Sequence, residues 1–101
     1  MRNHLIDIKV VNQAALSRLP QLLGGWLPDG KIRNGEWIAC NPTRNDRNPG
    51  SFTINIRTGK WADFATGDRG GDVVSLYAYL EGLSQYEAAK QLSIALGGGH
   101  V

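Results

Sequence analysis

Cysteine is almost missing from this 101-residue sequence: Cys40 stands alone, so no disulfide can form within the chain. A reducing, cytoplasmic setting is the expected localisation. Histidine is as scarce. His4 and His100 lie at opposite ends, leaving no imidazole in the middle for acid–base chemistry. No run approaches the roughly 18 apolar residues of a membrane span, so no membrane partner is expected. The opening stretch, MRNHLIDIKVV, has one arginine and no long apolar core, so a signal peptide is not expected either. The nine acids are scattered, with no Asp-x-Asp pair to hold two metal ions. The chain therefore reads as non-catalytic, with no cofactor.

What is present is an ordinary globular composition, 42% hydrophobic and 20% charged, enough for one small core. Residues 1–96 read as a single domain. Residues 97–101, opening on Gly97-Gly98-Gly99, read as the start of a linker, so the native polypeptide is expected to continue. The net charge of +2 is uninformative, but its distribution is not. Between Lys31 and Arg69 seven basic residues face four acids, a net of +3, while the remainder holds four basic residues and five acids. A basic middle can attract phosphate; it can equally be a solvated strand surface.

The periodicities give an α+β chain. Asn12 can cap a helix through Ala14, Ala15, Leu16, Leu19, Leu22 and Leu23, ended by Gly24 and Gly25, with Pro20 kinking or splitting it. Residues 1–11 read as a tail or loose strand. Asn34-Gly35 between two apolar runs predicts a tight hairpin, because both residues tolerate positive φ. Phe52, Ile54 and Ile56 alternate with Ser51, Thr53 and Asn55, the pattern of a half-buried strand. Residues 60–64 give another. Asp72 can cap a helix burying Val73, Leu76, Tyr77 and Leu80, and Gly82 stops it. Ser84 and Glu87 form a capping-box pattern before a second helix that buries Ala88, Leu92, Ala95 and Leu96. Cys40, with no neighbouring His or acid, reads as buried and structural.

Three segments together resemble the N-terminal zinc-binding domain of bacterial and phage DNA primases, the Cys-His-Cys-Cys type. Trp37-Ile38-Ala39-Cys40-Asn41-Pro42-Thr43-Arg44 is similar to that family's strand and Cys-Pro-x-His. Asn45-Asp46-Arg47-Asn48-Pro49-Gly50-Ser51-Phe52 is similar to its Asn-Glu-Lys-Thr-Pro-Ser-Phe, with one glycine inserted. Trp61-Ala62-Asp63-Phe64-Ala65-Thr66-Gly67, followed by Gly70-Gly71-Asp72-Val73-Val74, is similar to its aromatic strand, Cys-x-x-Cys-Gly and glycine turn into a helix. The resemblance covers residues 12–96. It implies a zinc-ribbon-like antiparallel sheet of three or four strands within residues 31–65, flanked by an N-terminal helix and a C-terminal helix pair.

The chain departs from the family at the metal. The four ligand positions fall at Asn41, Arg44, Asp63 and Thr66, which lack the Cys and His donors of a structural zinc site, so no metal is expected. Arg44 pairing with Asp63 is expected in place of the ion, with Trp37, Trp61, Phe52 and Phe64 adding packing.

The resemblance implies a module that engages single-stranded template DNA, in or beside a primase catalytic domain or helicase in DNA replication. Matching positions point to Arg47, Arg57 and Lys60; charge and aromatic character add Arg33, Trp61 and Arg69. Trp61 can equally be a core residue. Gly67-Asp68-Arg69-Gly70-Gly71 lacks the Gly-Lys-Ser/Thr of a phosphate loop and reads as a tight turn. Two other readings stand beside this one. A protein-docking module would use Tyr77, Tyr79 and Tyr86. The third is a small enzyme or nucleotide-binding domain, and a closed pocket lined by acids would favour an enzyme.

Overall fold

The computed structural model describes residues 6–97 and is α+β. His4, His100 and most of the expected linker, Gly98 to Val101, lie outside the described residues. Helices α1 (Ile8–Leu16) and α2 (Leu19–Trp26) come first. Strands β1 (Lys31–Arg33), β2 (Glu36–Ala39), β3 (Phe52–Asn55), β4 (Trp61–Asp63) and β5 (Arg69–Gly70) follow, then α3 (Val73–Glu81) and α4 (Gln85–Ala95).

The strands pair antiparallel in sequence order, β1 to β5, as one meander. Asn34 and Gly35 both take positive φ, 52° and 77°, which suits the twist of the β1–β2 hairpin. Phe52 and Ile54 are fully buried while Thr53 and Asn55 are half-buried, the alternation the sequence predicts. The sheet has five strands rather than three or four. The extra one, β5, lies where the sequence predicts a turn: Gly70 pairs with Trp61 and Arg69 with Ala62. A two-residue strand is too short to carry a period-two signal. Gly70 also has a packing reason, since a Cβ there would sit 2.4 Å from both Trp61 Nε1 and Ser75 Oγ.

The N-terminal region differs from expectation in two ways. Helix α1 starts at Ile8, capped by Asp7, whose carboxylate accepts from the Lys9 and Val10 amides at 3.1 and 3.4 Å. An acidic cap followed by Ile8, Val11 and Ala15 on one face outcompetes Asn12 as a start. Asn12 instead serves a different helix. Its Oδ1 accepts the Val74 N–H at 2.8 Å, satisfying an orphan amide in the first turn of α3. Pro20 does split the helical region, lying in the first turn of α2 where no donor is needed. Gly24 and Gly25 lie inside α2, which runs on to Trp26.

The C-terminal pair follows its caps. Asp72 accepts from Ser75 N at 2.8 Å, and Ser84 Oγ accepts from Glu87 N at 3.1 Å. Gly82 ends α3 in the left-handed region. Helix α4 buries Ala88, Ala89 and Leu92; Ala95 is exposed and Leu96 half-buried, because the docked face turns toward Ala89. The core joins Val11, Ala15, Leu19 and Leu23 of the first helices to Phe52, Ile54 and Trp61 of the sheet and to Val73, Val74, Leu76 and Leu92. Cys40 is half-buried rather than buried. No helix among the described residues is long and apolar enough to cross a membrane.

Candidate nucleic-acid interface

Strand register decides which side chains share a face, because directly paired residues point to the same side. One face carries Ala39, Phe52 and Asp63, then Trp37, Ile54 and Trp61. It lies beneath the helices. Trp61 packs on Tyr79 of α3 at 4.6 Å between ring centroids and on Phe52 at 6.3 Å, and its indole N–H donates to Ser75 Oγ at 2.9 Å. Trp61 is 6% exposed. It is therefore a core residue and no base-stacking platform: its large apolar area and its donor are both satisfied inside. Phe64 shows the reverse. Expected to pack, it is 76% exposed.

At one end of the buried face the four predicted ligand positions are placed. Three converge. Arg44 donates from Nε to Asp63 Oδ2 at 2.8 Å and from Nη2 to Oδ1 at 3.3 Å, so the expected Arg44–Asp63 pair is formed, with both carboxylate oxygens engaged. Asn41 Nδ2 donates to Asp63 Oδ2 at 2.8 Å, and the Ala65 amide to Oδ1 at 2.9 Å. Thr66 stays at the rim: its hydroxyl accepts from the Asp68 amide at 3.2 Å. The Tyr79 hydroxyl, which nothing in the sequence pattern places here, accepts from Asn41 Nδ2 and donates to Asp68 Oδ2, both at 2.8 Å. Arg44 also meets Asp46 at 3.3 Å and Ser51 Oγ at 2.9 Å.

The Arg44 hydrogen bonds hold the buried Asp63 carboxyl well below the usual carboxylate range, with Asn41 and the Ala65 amide adding to them against the opposing effect of burial. The Asp63 bond in turn raises the Arg44 guanidinium. This knot closes the end of the sheet and ties loop 40–51 to β4 and α3. Every buried side-chain nitrogen or oxygen among the described residues has a partner.

The other face is different. Lys31, Ile38, Thr53, Ala62 and Arg69 form one row across all five strands. Arg33, Glu36 and Asn55 form the next, which the Asn55 N–H···O=C Lys60 bond extends to Lys60. Ile38, Thr53 and Ala62 are only half-buried. At about 4.8 Å per strand, Lys31 and Arg69 stand roughly 19 Å apart. Phe64, just past the end of β4, is exposed, and its amide donates to the Ser51 carbonyl at 2.8 Å.

These two rows hold four cations, Lys31, Arg33, Lys60 and Arg69, and one acid, Glu36. Among the described residues the ion pairs are those of Arg44 with Asp46 and Asp63. Glu36 is bonded by Asn55 Nδ2 at 3.1 Å, and Asp68 by Tyr79. Lys31, Arg33, Arg47, Arg57, Lys60 and Arg69 are all exposed and make no ion pair among the described residues. Arg33, Arg57 and Lys60 gather at one end of the sheet. Asn55 braces the Arg57 turn, its Oδ1 accepting from the Arg57 and Thr58 amides at 2.9 Å each. Arg47 lies in loop 40–51 at the opposite end, beside the knot. Sequence reasoning missed Lys31 and Phe64; the register of a three-residue strand and the exposure of an aromatic are not encoded in local pattern.

The tyrosines do not form a docking patch. Tyr77 packs on Trp26 at 5.1 Å, and burial with the nearby Glu81 charge raises its hydroxyl pKa. Tyr79 belongs to the knot. Tyr86 is the exposed one of the three, at 46%. A scan against protein-family models finds none that matches this chain, and a search of curated proteins returns no match.

Proposed function

We propose that the half-exposed sheet face binds single-stranded DNA through its phosphates, as a non-catalytic module of a primase-like or primase-helicase replication protein. The observation that carries this is the open face itself: Lys31, Arg33, Lys60 and Arg69 surround Ile38, Thr53 and Ala62, with Glu36 the one acid in those rows. Single strands suit such a surface, where a basic track follows the backbone and an exposed aromatic such as Phe64 offers a stacking plane. The resemblance of three segments to the primase zinc-binding domain supports the replication context, with the Arg44–Asp63–Asn41 knot standing where that family holds its metal. Cys40 as the lone cysteine suits a cytoplasmic setting. A primase catalytic domain or helicase is the natural neighbour.

The test is a titration with single- and double-stranded oligonucleotides across a range of salt. Binding should be weak and fall with log salt, by about 0.7 per phosphate contact for single strands. Reversing Arg57, Lys60 and Arg69 to Glu should lower both the affinity and that slope with the fold intact. A folded triple variant that binds as the parent does, or a parent that binds nothing at low salt, would overturn the reading in favour of partner docking.

A further inference from the structure

On the open face, between the β1–β2 hairpin and loop 40–51, lies a cleft of about 400 Å³ lined by Asp29, Lys31, Arg33, Ile38, Pro49 and Gly50. Its size falls within the range of small-molecule sites, roughly 300–1,000 Å³. Its chemistry is polarised along β1. Lys31 and Arg33, two residues apart, share one face and make no ion pair among the described residues. Glu36, the cross-strand partner of Arg33, is held by Asn55. Asp29, two residues before Lys31, contributes a carboxylate. Ile38, paired with Lys31 across the strands, and Pro49 supply apolar surface.

From this arrangement we propose a one-nucleotide subsite. The phosphate lies against Lys31 and Arg33, the base lies over Ile38 and Pro49, and Asp29 accepts a hydrogen bond from a base amino group. A carboxylate pairs well with the amino group of cytosine. Thymine, the same size but without that amino group, leaves Asp29 unpaired, so the subsite prefers amino-bearing bases. This deepens the single-strand reading and rests on it for the source of the nucleotide: a strand lying on the sheet face would place one of its residues here.

The test uses the full 101-residue chain and amide chemical-shift titrations with deoxycytidine monophosphate, thymidine monophosphate and inorganic phosphate. The cytidine nucleotide should move Asp29, Lys31, Arg33, Ile38 and Gly50 together, and bind about fivefold more tightly than the thymidine nucleotide, one hydrogen bond's worth. Inorganic phosphate should move Lys31 and Arg33 but not Ile38. Asp29→Asn should erase the preference, and Lys31→Glu with Arg33→Glu should erase mononucleotide binding. Equal affinity for all three probes, or shifts centred elsewhere, would overturn the subsite. An oligonucleotide titration of the Lys31→Glu/Arg33→Glu variant separates the two ideas. Residual binding that depends on Lys60 and Arg69 keeps the sheet-face reading whether or not the subsite holds. Mononucleotide binding by a parent chain that takes no oligonucleotide keeps the subsite, as a free-nucleotide site, and ends the strand reading.

Discussion

Arg44 Nε stands 2.8 Å from Asp63 Oδ2, and Arg44 Nη2, the Asn41 amide and the Ala65 N–H donate to the same carboxylate. A fully buried carboxylate is tolerated there because four donated hydrogen bonds, two of them from a cation, replace its water.

Removing that cation should weaken a pH dependence. In the parent, the depressed Asp63 pKa contributes stability above the unfolded value of about 3.9, lost only as pH falls through the still lower folded value. In Arg44→Met the largest cause of that depression is gone, burial is opposed only by the Asn41 and Ala65 bonds, and the Asp63 pKa rises. Its carboxylate then contributes less stability at neutral pH than in the parent, and the difference fades as Asp63 protonates. The deficit in urea midpoint against the parent should be widest at about pH 7 and narrow below about pH 4. A deficit independent of pH would show that Asp63 is not held by charge.

Gly70→Ala should cost about 1–3 kcal/mol, because the new methyl meets Trp61 and Ser75 at 2.4 Å and the indole must move. Gly71→Ala meets nothing within 4 Å and should stay within about 0.5 kcal/mol. Urea denaturation followed by tryptophan fluorescence compares them directly.

Asn12→Ala should lower stability by about 0.5–2 kcal/mol, the usual cost of losing a helix cap, although residue 12 is a mid-helix position where alanine has the better propensity. Asn12→Asp keeps the acceptor and adds negative charge at the N-terminus of α3, so it should retain most of the stability. Thermal melts of the two variants give the comparison.

Phe64→Ala and Trp61→Phe should separate binding from folding. Losing the exposed Phe64 ring should leave the melting temperature unchanged and weaken oligonucleotide binding, by up to about 1–3 kcal/mol if a base stacks there. Trp61→Phe removes the donor to Ser75 and part of a packed ring, so it should lower stability with little effect on binding by the folded fraction.

The parts of this fold that can be read from the sequence are those whose cause is local. Asn34-Gly35 declares its hairpin through two positive φ angles, Asp72 and Ser84 declare their caps, and Phe52 and Ile54 declare the buried side of β3. Arg44 opposite Asp63 can be anticipated because opposite charges fall at corresponding positions of a resembled motif. What cannot be read depends on partners distant in sequence. Asn12 looks like a helix start until Val74 is known to lie over it. Trp61 looks like a platform among basic residues until Tyr79 and Ser75 cover it. The free cations look no different from paired ones in a sequence, and it is the capture of Asp46 and Asp63 by Arg44 alone that leaves the others without an ion pair among the described residues.

The bond from the Val74 amide to Asn12 spans 62 residues, the entire sheet lying between its ends. Each strand of that sheet pairs only with its neighbours in sequence, so the meander can zip hairpin by hairpin at little cost in loop entropy. Helices α1 and α3 gain their shared contacts only once the sheet has brought them together. They act as a clasp across the sheet, and the expected order is for it to fasten last in folding and release first in unfolding. Amide exchange at Val74 should accordingly be faster than at Ile54 in the sheet, even though both lie in the core.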